Sequence, residues 1–163
     1  MSIQLPGELS ALLQELGYSW PESDESQLLD LGQEWLRLAN VIDELHEDVV
    51  AAARQVANGN TARAVDAFLT QWQAEDSGAA ALTRGSAGAI AIGGGLTVCA
   101  GVVLALKINV LVQLTLLAAQ IIQAIATAVP TAGASLLEIP IFKQLTNTAI
   151  DFLVSQATEV ILG

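Results

Sequence analysis

Between residues 28 and 56, apolar side chains fall at alternating intervals of three and four: Leu28, Leu31, Trp35, Leu38, Ile42, Leu45, Val49, Ala52 and Val56. Because 3.6 residues complete a helical turn, this spacing predicts one long amphipathic helix with a coiled-coil-like seam. Leu31, Trp35, Leu38, Ile42, Leu45 and Val49 are the positions expected to pair with a helical partner or with a second copy of the chain. Asp30, Glu34, Asp43, Glu44, Glu47 and Asp48 read as the solvated faces of the same helix. Asn58, Gly59 and Asn60 interrupt the pattern, and Thr61 can cap a following helix in which Val65, Phe68 and Trp72 resume the spacing. Residues 23–82 therefore read as an antiparallel helical hairpin. Upstream, Pro6 and Gly17 bracket a short helix with Leu9, Leu12, Leu13 and Leu16 on one face.

After Ser77 and Gly78 the pattern changes from amphipathic to almost wholly apolar. Gly85, Ala89, Gly93, Thr97, Gly101 and Ala105 recur every four residues, a small-residue stripe that lets another helix approach closely. Gly93, Gly94 and Gly95 each cost about 1 kcal/mol in a helix relative to Ala, so this segment depends on packing for its stability. Further on, Asn109, Gln113, Gln120, Gln123 and Thr127 share one face of a helix expected from Ile108 to Val129. Pro130 and Gly133 break that helix, and Pro140 opens a last one, reaching Leu162. No segment alternates convincingly as a strand, so the fold class is all-α: a helical hairpin, then a long apolar helical hairpin, then a C-terminal helix. Residues 1–86 form the acidic hairpin and 87–163 an apolar module packed as one unit with it.

Two spans, Gly88–Leu106 and Val110–Val129, are each about 28–30 Å long as helices, close to the thickness of a bilayer core. The ten Leu, Ile and Val residues of the second contribute about −3 to −6 kcal/mol to insertion. Three Gln amides facing lipid unpaired would cancel that gain at a few kcal/mol each. Two geometries stay open: a bundle that pairs the polar stripe internally, or an assembly that lines a lumen with it.

Charge sharpens this division. Residues 1–86 hold 14 of the 17 acids, and between Arg84 and Glu138 the only charge is Lys107. The six basic residues stand singly, at Arg37, Arg54, Arg63, Arg84, Lys107 and Lys143. They form no stripe that could neutralise phosphates, so nucleic acid is excluded as a partner. The lone Cys99 permits neither an intramolecular disulfide nor a Cys-rich metal site. His46 has no second histidine to complete a metal set, neither Gly-x-Ser-x-Gly nor Ser-x-x-Lys occurs, and the glycine run lacks the Gly-Lys-Ser/Thr of a phosphate loop. No enzymatic activity, cofactor or metal is expected. The first twenty residues lack the basic, apolar and small-residue pattern of a cleavable secretory signal.

The stretch from Val56 to Phe68 resembles the Trp-x-Gly turn of WXG helical hairpins, with Ala57 in place of the tryptophan and Asn58 and Gly59 completing the tripeptide. Ile3–Leu9, Gly17–Glu22, Val98–Val110 and Ser135–Phe142 are similar to the WXG-like N-terminal domain of actinobacterial type VII secreted toxins. That resemblance implies a non-enzymatic export or delivery domain, secreted or associated with the cell envelope, that precedes a fused C-terminal effector. It also implies an export signal in which an aromatic residue is followed by an acid, a pattern that Trp72 and Asp76 resemble. Three readings follow: an export domain that binds a helical partner, with insertion in a lipid bilayer as an optional further step, a channel former, and a structural homo-oligomer.

Overall fold

The computed structural model describes residues 2–59 and 63–162. They form five α-helices and one short 3-10 turn: α1 (Gly7–Glu15), α2 (Glu25–Gly59), α3 (Arg63–Trp72), α4 (Gly78–Ala126), the 3-10 turn (Ala134–Glu138) and α5 (Ile139–Leu162). The all-α expectation holds. The chain divides into two compact units, Gln27–Val98 and a discontinuous one made of Met1–Ser26 with Cys99–Gly163. The boundary lies away from residue 86, where the charge density changes.

Local chemistry accounts for most helix ends. α1 starts after Pro6, whose carbonyl accepts from the Ser10 N–H at 2.9 Å, and stops at Gly17, which takes the left-handed φ of 90°. α4 is capped by Ser77, whose hydroxyl oxygen accepts from the Ala80 N–H at 3.2 Å, while Arg84 donates to the Glu75 carbonyl at 2.7 Å. α4 ends as expected ahead of Pro130. Ala132 and Gly133 turn through left-handed φ values of 52° and 86°, and the buried Ser135 hydroxyl donates back to the Ala124 carbonyl at 2.7 Å. The cap expected at Thr61 lies outside the described residues.

One expectation needs correction. No break separates Gly88–Leu106 from Val110–Val129; α4 runs without interruption through the first and on to Ala126 in the second, as one helix of 49 residues. Neither Pro nor Gly occurs between Gly101 and Pro130, and the Asn109 amide bonds back to its own helix at the Ala105 carbonyl, 2.8 Å away, so nothing there favours a turn. The apolar hairpin reverses at 127–138 instead, and its second arm is α5.

In the unit spanning 27–98, α2 and the first part of α4 cross at glycine. A Cβ added to Gly32 would lie 2.9 Å from the Gly93 carbonyl oxygen, and one added to Gly93 would lie 2.8 Å from the Gly32 oxygen. Backbone meets backbone there, which only glycine at both positions permits. Ile42 approaches Gly85 farther along, so the two segments run antiparallel. Buried positions on α2 include Gly32, Ala39 and Ala53, with Trp35, Ile42, His46 and Val49 half-buried between them. In the other unit, Leu13 of α1, Val110 and Leu114 of α4 and Ile150 of α5 form the core, and Leu5, Leu9, Leu12, Leu16, Tyr18 and Trp20 pack against it.

Candidate functional site

The α2 seam faces two ways. Trp35, Ile42 and Val49 turn toward the interior, alternating with Gly32, Ala39, His46 and Ala53 at the same three-four spacing. Leu31, Leu38 and Leu45 are 49%, 44% and 49% exposed, and Val41 beside them is 59% exposed. These positions divide between two faces of α2: an inward face built on small residues and an outward face built on large ones. A glycine cannot signal burial by its hydrophobicity, so only the outward row and its shared members stood out in the sequence.

The small-residue stripe on α4 is occupied within the chain over its first part. Gly85 faces Ile42, Ala89 and Gly93 are buried, and Gly93 meets Gly32 and Leu36. Thr97 Oγ1 would lie 3.0 Å from a Cβ at Gly32 and donates to the Gly93 carbonyl at 2.9 Å. Gly101 and Ala105 are exposed.

The polar stripe lies largely on the surface of the chain. Asn109, Gln120 and Gln123 are exposed, and Gln113 and Thr127 are half-buried. The buried positions of this part of α4 are Val103, Lys107, Val110, Leu114 and Leu117, again three and four apart and on another face, with Ala124 seven residues further on. That seam was invisible in the sequence because its neighbours are equally apolar, leaving no contrast for periodicity to report.

Lys107 occupies a position on this seam and is 1% exposed. Its Nζ donates to Glu25 Oε2 at 2.7 Å, to Ser2 Oγ at 2.6 Å and to the Ser23 carbonyl at 2.6 Å. Nζ also lies 6.0 Å from the centre of the Trp20 ring. The Glu25 carboxylate accepts in addition from the Ile3 N–H at 2.7 Å and from Ser2 Oγ at 2.9 Å. The Lys107 bond outweighs the cost of burial and holds the Glu25 carboxyl at about 2, below its ordinary value of 4.5. The sequence carried one usable signal for this cluster: a single charge in a long apolar run requires a partner if it is to be buried.

Two further contacts tie the N-terminal segment to α5. The Tyr18 hydroxyl donates to Asp151 Oδ1 at 2.5 Å and approaches the Asn147 carbonyl at 3.3 Å, and Lys143 pairs with Glu15. Burial, then the hydrogen bond to Asp151 and its charge, push the Tyr18 phenol up to about 12.

Ala57, Asn58 and Gly59 form the last turn of α2. Trp72 is the final residue of α3, with its ring centre 5.8 Å from that of Phe68. Asp76 lies beyond the helix, in the turn leading to Ser77. Among the described residues, no group of three His, Cys, Asp or Glu side chains could hold a metal ion.

Neither the curated proteins nor the solved structures yield a match to this sequence. A family model described as a WXG100 like domain matches residues 3–148. With that match running from the N-terminal segment through α4 into α5, the chain belongs to the WXG100-like family.

Proposed function

We propose that the chain is a non-enzymatic export domain that engages a helical partner through the outward face of α2. WXG100-like proteins are helical secretion and structural proteins, exported by type VII systems, typically dimeric or oligomeric and generally not enzymes. The observation that carries the finer reading is the orientation of α2: its small residues are turned inward, while Leu31, Leu38, Val41 and Leu45 stay on the surface. A row of large apolar residues at helical spacing, rimmed by charge, suits an amphipathic helix laid along it.

Charge indicates what kind of helix. α2 carries seven acids and two arginines, so a second copy in the same pairing would set acid against acid. A partner with basic residues flanking its apolar face is favoured instead. Export from a host with an active type VII system tests this. Leu38→Asp with Val41→Asp is expected to abolish export while leaving helicity and the unfolding midpoint of the purified chain unchanged. Undiminished export of that variant would sink the proposal. A stable dimer of the purified chain, measured by light scattering and lost in the same variant, would redirect it to self-pairing.

A second reading concerns lipid. The most apolar window of α4 has a mean hydropathy of 2.2 and only 17% of it is buried. Thr115 and Thr127 donate to carbonyls of their own helix at 2.8 and 2.9 Å, and Asn109 does the same, which lowers their cost in an apolar medium. We propose that this surface meets a bilayer at some stage of delivery. The fused effector implied by the resemblance belongs to the same proposal.

A further inference from the structure

We infer that residues 2–25 are a strap over the α4–α5 hairpin, latched by the Glu25–Lys107 pair, and that lifting it uncovers an apolar face that binds lipid. The last step rests on the lipid reading above; the strap itself does not.

The strap is held unequally along its length. α1 has nine residues, too few to persist as a helix without the surface beneath it. Of the leucines along it and at its end only Leu13 is fully buried, while Leu9, Leu12 and Leu16 are half-covered. The seat is nevertheless close-fitting: between Leu13, Tyr18 and Pro21 on one side and Leu106, Val110 and Ile150 on the other, the remaining cavity is about 30 Å³, roughly one water. The Glu15–Lys143 pair is 56% and 30% exposed and contributes little, as solvated pairs do.

The Glu25–Lys107 pair differs in kind. Without the Glu25 carboxylate, the buried Lys107 has no counter-charge in a site closed to water, and the arrangement that relieves this is the one with the strap raised. Ser2, Ser23 and Trp20 converge on the same ammonium, so both ends of the strap leave together when that site opens. Beneath lie Val110, Leu114 and Ile150, continuous with a surface of α4 whose only charge from residue 99 to residue 126 is Lys107 itself. The strap thus stands between one apolar surface and its enlargement.

The full chain tests this with Glu25→Gln, Lys107→Met and the double variant, read by amide exchange and by flotation with phosphatidylcholine vesicles. These vesicles carry no net charge, so the chain's own charge of −11 neither drives nor masks binding. Exchange at residues 7–16 and 107–117 should speed up by at least about tenfold in Glu25→Gln and return toward wild type in the double variant, and the floated fraction should rise and fall with it. Faster exchange without flotation would support the strap and overturn the lipid step. Unchanged exchange, or an equal rise over all helices, would overturn the strap. A disulfide joining Glu15→Cys to Lys143→Cys, with Cys99→Ser, provides a control: it should cancel the effect of Glu25→Gln until reductant is added, and an effect that survives the disulfide would also overturn the strap.

Discussion

Among the described residues, the buried hydrophobic side chains of the 27–98 unit are all alanines, Ala39, Ala53, Ala79 and Ala89, with Gly32 and Gly93 at their crossing. The other unit buries Leu13, Val103, Val110, Leu114, Leu117 and Ile150, and among them a lysine paired with a glutamate. The first achieves close contact by removing side chains and leaves its large apolar groups, Leu31, Leu38, Val41 and Leu45, outside. The second buries large groups and accepts a charge among them, while others, Ile122, Ile125 and Phe152 included, stay outside. Both units keep hydrophobic surface to offer; what differs is the interior, set by close backbone approach in the first and by one ion pair among bulky groups in the second.

If the pair specifies the second unit, Glu25→Gln should have the largest effect, costing about 3–5 kcal/mol by leaving a buried ammonium unmatched. Glu25→Gln combined with Lys107→Met should recover most of this, as judged by urea unfolding. Acid should act on the same contact. Because folding lowers the Glu25 pKa from 4.5 to about 2, its contribution is complete above 4.5 and is lost as pH falls from there through 2. The unfolding midpoint of the wild type should drop across that window more steeply than that of the double variant.

The glycine crossing is probed next. Gly93→Val forces a branched side chain against the Gly32 oxygen and should cost about 1–3 kcal/mol. Ser77→Ala removes the α4 cap and should cost about 1 kcal/mol. Smallest and opposite in sign, Gly94→Ala should stabilise by about 0.4–1 kcal/mol, since nothing lies within 4 Å of a Cβ built there. If Gly93→Val and Gly94→Ala shifted the melting temperature alike, the distinction between a packed glycine and an idle one would collapse.

What could be read from the sequence followed contrast. α1 with its leucine face, the left-handed Gly17, the stop ahead of Pro130 and the Pro140 start were all legible, because a polar, Gly or Pro residue stood against an apolar pattern. The continuity of α4 was not, since an uninterrupted apolar run says nothing about where it turns. The small-residue stripe correctly implied a close helix approach, but not that α2 of the same chain occupies its first part. Lys107 was visible as an anomaly. Its partner, 82 positions earlier on a helix of seven acids, could not be told from its neighbours by charge alone.

The discontinuity of the second unit also bears on the order in which the protein is built. Residues 27–98 are contiguous, so their contacts can form soon after they are synthesised. Tyr18 must wait for Asp151, 133 positions later, and Glu25 for Lys107. Contacts of such separation carry a large loop-closure entropy and form late. For an interval on the ribosome the leucine face of α1 and the charge of Glu25 have no counterpart in the chain. The segment that emerges ahead of α4 and α5 thus reaches its final place only after both of them.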